Sequence, residues 1–506
     1  MTEAVTSTGQ VSRAIGWNIA LTIVSIVVQV AVTMSLGRLL TSADYGVFAF
    51  ANSIIVFSSH LSQRGLSGAM LKQGALTPAD VGNSYVVCVS LVALISTLIG
   101  AVVLSLKFFG ARFEPQSDIL LFLLLPLSIQ LLSTPAATIL QRNFAVVRAN
   151  IFQVCGMVVG NGVVACWFAY SGWGAWSLAY GAFAAAVITG ALNVMGGWSA
   201  VAFEWSYRRY TQLLSDAIAM NGLRALDVAW LQAPILFFGV FATIANAGLY
   251  QRMQFFADLL LQMTVWRVGT VLYTAMAVER NEATIGNKQY RSVFRVLVTL
   301  TLPIIAFVWT AAEPMIGFLL GPAWLDGAWT FRILIIAFGL YTINQAGFWT
   351  LELSGRFVPR YASAGCALVS VVLSLLLVPI DASFGYGFAP LCSMLVTAFV
   401  LQYALGERLS DVRTILVSLR GGVVLAVGVT LGAFLGALLG REIGAVTPLE
   451  LLLVQAALAG GGVVCIVPIV LSFAELSTIR ELLLHRFPQS KRYLELIALY
   501  RFLRRA

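Results

Sequence analysis

Charge is scarce in this chain. Asp, Glu, Lys and Arg make up 10% of its 506 residues, against about a quarter in soluble domains, and that deficit excludes a string of ordinary soluble domains. Histidine is nearly absent, with His60 and His485 alone, so a histidine-rich metal site is excluded and no nucleophile–base constellation can be assembled. No Gly-Lys-Ser or Gly-Lys-Thr occurs, which removes ATP hydrolysis through a Walker A loop. The six cysteines (Cys88, Cys155, Cys166, Cys366, Cys392 and Cys465) fall inside apolar runs without paired spacing. They read as buried free thiols, not as disulfides or metal ligands. Strand-length segments of alternating polarity, the mark of a membrane barrel, are missing as well.

What the chain has is apolar residues, 59% of the total, in many runs that reach the roughly 20 residues needed to cross a bilayer as helix. Lipid offers the backbone no hydrogen bonds, so each span must satisfy its own and be helical. The sequence therefore predicts an all-α polytopic membrane protein with about fourteen spans. They lie near 14–36, 45–70, 84–106, 118–140, 149–170, 175–196, 217–240, 246–275, 291–312, 328–350, 361–380, 385–405, 418–440 and 451–473. With the N-terminus in the cytosol, 22 of the 31 basic residues fall on the inner side and five (Arg38, Lys107, Arg112, Arg332, Arg441) on the outer. That asymmetry matches the positive-inside rule and places both termini in the cytosol. It also accounts for the net charge of +9 without a nucleic-acid partner. The polar first 13 residues ahead of a full-length apolar run predict no cleaved signal peptide.

One connection is written twice. "GRLLTSADYGVFAF" (37–50) and "GVFATIANAGLYQR" (239–252) share Gly, Thr, Ala and Gly at a constant shift of 202, with Asp44 matched to Asn246 and Phe48 to Tyr250. A second echo pairs "SGWGAWSL" (171–178) with "FGYGFAPL" (384–391) at a shift of 213. Six spans per repeat is even, so both copies enter the membrane from the same side. This implies parallel lobes about an axis along the membrane normal, as in transporters that alternate access. The organisation expected is a cytosolic segment 1–13, an N-lobe 14–196, a cytosolic linker 197–216, a C-lobe 217–405, two further spans within 418–473 and a tail 474–506. The tail alternates apolar and basic residues at helical spacing, so it reads as interfacial helices on the anionic inner leaflet.

The stretches "RAIGWNIALTIVSIVVQVAVTMSLGRLLTSADYGVFAF" (13–50), "ILQRNFAVVRANIFQV" (139–154) and "SGWGAWSLAYGAF" (171–183) resemble the polysaccharide-transporter branch of the MOP (multidrug/oligosaccharidyl-lipid/polysaccharide) superfamily. These are the Wzx-type flippases that serve exopolysaccharides and O-antigen, and the resemblance spans essentially the whole chain. It implies the two-lobe fold of the MATE and MurJ members. It also implies movement of undecaprenyl-diphosphate-linked oligosaccharide from the inner to the outer leaflet of the bacterial inner membrane, with a polymerase or co-polymerase as a further partner. No cofactor is implied beyond a coupling ion, H+ or Na+. Composition and spacing by themselves show only a two-lobed transporter.

Ionisable residues inside spans are costly and line polar cavities or pair with one another. Arg64, Arg224, Arg252 and Arg267 fall within spans and are the candidates for a substrate cavity, because guanidinium binds phosphate oxygens bidentately and stays charged. Arg64 stands one position from the repeat equivalent of Arg267. Arg252 and Arg267 lie within roughly 60° of each other around their helix, with Asp258 pointing away. Snorkelling to the interface is the competing reading for Arg64 and Arg252. Asp227, Asp258 and His60 are candidates for ion coupling. Asp227 reads equally as the structural partner of Arg224 three residues earlier, and a lone membrane histidine reads more readily as a packed polar group. Pro234 marks a kink in span 7. Gln29, Asn52, Gln130, Gln153, Asn161, Gln232, Gln262, Asn344 and Gln345 add polar lining. An aromatic belt accounts for Trp173, Trp176, Trp198 and Trp324.

Two other functions compete. A drug or cation antiporter of the same superfamily is disfavoured by four intramembrane arginines against two aspartates, since a positive cavity repels cations. A membrane polymerase, ligase or glycosyltransferase would need large outer loops, and the outer connections here run to only about 15 residues.

Overall fold

A computed structural model describes residues 8–72, 77–108, 114–143, 145–197, 205–261, 287–377, 387–405, 412–442 and 447–471, with isolated positions between 269 and 277. The regular structure described is helical. Eleven of the described helices are long and apolar enough to cross a membrane, fewer than the fourteen expected. Three expected spans fall short on this measure. Near the N-terminus only Val24–Leu39 counts as apolar helix, and near the end only Pro448–Gly461. The span expected at 246–275 is described as helix over Ile244–Leu261. The tail 474–506 lies outside the described residues.

The chain divides into two compact units, Met1–Gln251 and Arg252–Ala506. In the first, α1 (Thr8–Leu39) leads into the duplicated connection. Within it Thr41 caps α2 (Ser42–Ser59). Its Oγ1 accepts from Asp44 N at 3.2 Å, and Thr41 N donates to Asp44 Oδ2 at 3.0 Å, so two helix-end donors are satisfied reciprocally. A π-helical turn, His60–Arg64, joins α2 to α3 (Gly65–Lys72). The same Thr–Asp box, Thr77 with Asp80, opens α4 (Pro78–Phe108). α5 (Glu114–Arg142) follows, then a second rod of α6 (Val146–Gly156), a π-helical stretch Met157–Val164 and α7 (Ala165–Tyr170). α8 is Ala175–Gly196 and α9 is Tyr207–Phe241. α9 begins well ahead of the expected span at 217, inside the segment read as a linker. α10, Ile244–Leu261, begins in this unit and continues past its last residue, Gln251.

Two apolar clusters hold this unit. Ala51 and Ile55 of α2 meet Leu120, Leu123 and Leu127 of α5, while Leu66 and Met70 of α3 meet Val87 and Cys88 of α4 and Leu213 of α9. The duplicated connection has a physical reason for its glycines. A Cβ on Gly46 would overlap the carbonyl of Ile244, and one on Gly248 would overlap the carbonyl of Ser42. The first turns of α2 and α10 thus cross backbone to backbone, each through its own copy of the same glycine, a close approach that only glycine permits.

In the second unit, α11 (Asn287–Leu319) turns through a 3-10 segment, Pro322–Gly327, into α12 (Ala328–Leu353). Then come α13 (Phe357–Leu377), α14 (Phe388–Leu405), α15 (Val412–Glu442) and α16 (Pro448–Leu471). α12 is buried along most of its length between α11 and α14, and the hairpin α15–α16, outside the sequence duplication, lies against α11. At the turn from α12 to α13, Arg360 is buried, bonds Glu352 through Nε at 3.1 Å and stacks 3.9 Å above Phe348. The five described cysteines are free, but Cys155 and Cys392 are exposed on helix surfaces and not buried. An apolar run in a membrane protein can present its side chains outward to lipid as readily as inward, so hydrophobicity does not fix burial here.

Candidate functional site

A π-helical turn interrupts the α2–α3 rod at His60–Arg64, where two of the polar candidates lie. A π turn adds a residue to the helix and breaks the regular ladder, which leaves a carbonyl to be satisfied from elsewhere. Here Asn221 of α9, 3% exposed, donates its side-chain Nδ2 to the Leu61 carbonyl. Gly65 gives the room for it, since a Cβ there would overlap the Asn221 amide. Ser62 Oγ returns a bond to Ser58 O at 2.8 Å, and Gln63 Nε2 reaches Gln130 Oε1 of α5 at 3.4 Å.

This turn carries His60 and Arg64, and one helical turn beyond Asn221 is Arg224. His60 is within electrostatic range of both arginines, and Arg64 of Arg224. Arg64 and Arg224 are exposed and His60 is half-buried. Three of the residues singled out in the sequence, two from this turn and one from α9, therefore form one basic cluster on the first unit. Two guanidiniums presented from packed neighbouring elements can share an anionic group through several charge-assisted hydrogen bonds.

Asp227 lies one turn further along α9, half-buried, and Pro234 falls inside the same helix. Arg252 and Asp258 belong to the second unit. Arg252 is 9% exposed, with its guanidinium 5.7 Å from the Phe255 ring centroid, and Asp258 is half-buried. Arg267 and Gln262 lie outside the described residues. Among the described residues no group of three or more His, Cys, Asp or Glu could hold a metal ion. The sequence reading did not single out Asn221 or Gln63. Neither has a local signal, because what matters is the carbonyl and the partner helix they face in space.

Ion pairs fasten the first turns of α9 beside this site. Lys72 Nζ meets Asp216 Oδ1 at 3.1 Å, and Arg209 Nη1 meets Asp80 Oδ1 at 3.4 Å and Thr77 Oγ1 at 3.1 Å. Ser206 N donates to Asn83 Oδ1 at 3.2 Å. Exposed pairs of this kind each contribute little, about 0.2–1 kcal/mol. Together they fix where α9 starts against α3 and α4.

The model of a family described as polysaccharide biosynthesis protein matches residues 35–328. The succinoglycan biosynthesis transport protein ExoT of Rhizobium meliloti (strain 1021) is 23% identical over 338 residues, 66% of this chain and 67% of that protein. Among solved structures, the lipid II flippase MurJ in an inward closed conformation aligns with a TM-score of 0.65 at 11% identity, over 88% of this chain and 98% of that one. An inward-facing multidrug resistance MATE family transporter of the MOP superfamily aligns with a TM-score of 0.54 at 17% identity, over 76% and 96%. At these identities the structural likeness speaks to the fold, which is MurJ/MATE-like.

Proposed function

The chain belongs to the polysaccharide biosynthesis protein family, as a polytopic membrane transporter of the MOP superfamily, and from that premise we propose that it is a flippase for undecaprenyl-diphosphate-linked oligosaccharide. It moves the repeat unit across the bacterial inner membrane by alternating access, for polysaccharide assembly, with both termini in the cytosol. The observation that carries this reading is the cluster of Arg64, Arg224 and His60 set into otherwise apolar helices. Charge inside a span is costly, and a positive cluster attracts a diphosphate and repels a cationic drug. Arg64 and Arg224 hold the diphosphate, while polar side chains such as Gln63 and Gln130 offer hydrogen bonds to sugar hydroxyls. Asp227 is the proposed site of proton or sodium coupling. Arg252, Arg267 and Asp258 are assigned to the corresponding tasks in the C-lobe.

A deletion strain tests the reading. The lipid-linked oligosaccharide accumulates on the cytosolic leaflet and export stops, and the wild-type gene restores both. A strain that accumulates no lipid-linked sugar and instead becomes sensitive to cationic drugs would replace the flippase with an antiporter.

A further inference from the structure

Where α11 turns into α12 at the membrane surface, a pair of opposite charges sits beside two tryptophans. Arg332 Nη2 is 3.0 Å from Glu313 Oε1, and Arg332 Nε donates to the Trp309 carbonyl at 3.0 Å. The guanidinium lies 4.9 Å from the Trp329 ring centroid, and the Trp309 and Trp329 rings meet edge to face at 6.2 Å. The Glu313 side chain is 62% exposed and that of Arg332 13%. Trp309 also lines a groove of about 290 Å³ between α11, α12 and α15, lined further by Leu302, Ile305, Ile336, Ala426 and Thr430. The Thr430 hydroxyl is engaged by the Ala426 carbonyl of its own helix at 2.9 Å, so the groove offers its occupant almost nothing but hydrocarbon. A path for sugar would be lined with hydrogen-bonding groups. This one suits an acyl chain, and its run from Trp309 to Leu302, about 10 Å of helix, lies within the depth of one leaflet, roughly 15 Å.

The geometry points to a binding site for a single aminophospholipid, and we propose that assignment. One acyl chain lies in the groove, the phosphate meets Arg332 and the ammonium meets Glu313. Arg332 has five N–H donors, and two are engaged by Trp309 and Glu313, so three remain for a phosphate group. A headgroup that is only anionic would bring its charge against the Glu313 carboxylate. A zwitterion satisfies both charges at once, and tryptophans favour this depth. The site lies wholly in the second unit and does not depend on which substrate is transported.

The test uses full-length protein, delipidated and reconstituted into nanodiscs that carry either phosphatidylethanolamine or phosphatidylglycerol with brominated acyl chains. Quenching of Trp309 fluorescence, taken as the difference between the wild type and Trp309→Phe, reports chain occupancy. Brominated phosphatidylethanolamine should half-quench at a mole fraction roughly threefold or more below that of phosphatidylglycerol, the scale of one exposed charge pair. Glu313→Gln, on an exposed side chain, should bring that ratio close to one. Ala426→Phe, which fills the groove, should weaken quenching by both lipids. Equal quenching in the wild type, a preference for phosphatidylglycerol, or a preference that survives Glu313→Gln would each overturn the proposal. Competition by inorganic phosphate at millimolar concentration would also overturn it, since it would identify a phosphate site without a lipid.

Discussion

Replacing Asn221 with leucine tests whether the π-helical turn is held by α9 and whether that hold matters for transport. Leucine has the same number of side-chain heavy atoms, branched at the same carbon, but cannot donate to the Leu61 carbonyl, so the change removes the hydrogen bond. A buried acceptor left unsatisfied costs about 1–3 kcal/mol, while hydrogen bonds between membrane helices average about 0.6 and reach about 1.7 kcal/mol. Asn221 is 3% exposed, so water cannot take its place, and about 1 kcal/mol is the expected loss. For a unit of this size that shifts the melting temperature by roughly 2–4 °C, measurable by thermal unfolding in detergent. The effect on transport should be larger. His60 and Arg64 ride on the turn, and a displacement of about 1 Å in a positioned group can cost up to a hundredfold. In proteoliposomes loaded with a fluorescent lipid-linked oligosaccharide, Asn221→Leu should slow flipping about tenfold or more. A variant that melts lower yet flips at the wild-type rate would refute the positioning role. An unchanged melting temperature would refute the hydrogen bond itself.

Three further outcomes are expected. Gly46→Leu or Gly248→Leu forces a side chain between crossing backbones and should destabilise the fold by about 1–3 kcal/mol or more, read as loss of folded protein in membranes. Asp227→Asn should leave insertion intact and abolish the response of transport to an imposed proton or sodium gradient, and a normal response would move coupling elsewhere. Lys72→Asp should lower stability by no more than about 1 kcal/mol. Adding Asp216→Lys should recover most of that loss in thermal unfolding, and failure to recover it would deny the pair any part in seating α9.

The parts of the fold that follow from solvent were readable in the sequence. Apolar runs became helices because lipid leaves the backbone no alternative. The Thr-x-x-Asp spacing at Thr41–Asp44 and Thr77–Asp80 forms capping boxes, in which short polar side chains reach the free donors of the first turn, and a reading of 37–50 as a plain outer turn passes over them. The doubled connection announced a repeat, but not that its two glycines face each other across a helix crossing. That is a contact between residues some 200 apart, and no local pattern encodes it. The π-helical turn was equally hidden, since "HLSQR" would sit as well in an ordinary α-helix and the extra residue is stabilised by Asn221 from outside. Arg64, His60 and Arg224 stood out as costly charges in apolar helices, so their chemistry was legible. Their convergence depends on how α9 packs against α2 and α3. The sequence likewise marked Arg332 only as an outer basic residue, while its stacking on Trp329 and pairing with Glu313 arise from the α11–α12 turn.

The central claim, that Arg64 and Arg224 together hold a diphosphate, is tested most directly by flipping rates of their variants in proteoliposomes. Each arginine that gives charge-assisted hydrogen bonds contributes about 1.5–3 kcal/mol. Arg64→Ala or Arg224→Ala should therefore slow flipping of undecaprenyl-diphosphate oligosaccharide by roughly ten- to a hundredfold, with insertion and melting temperature preserved. Arg64→Lys should recover only part of the rate, because an ammonium lacks the two-pronged fork. Wild-type flipping in both alanine variants would contradict the account.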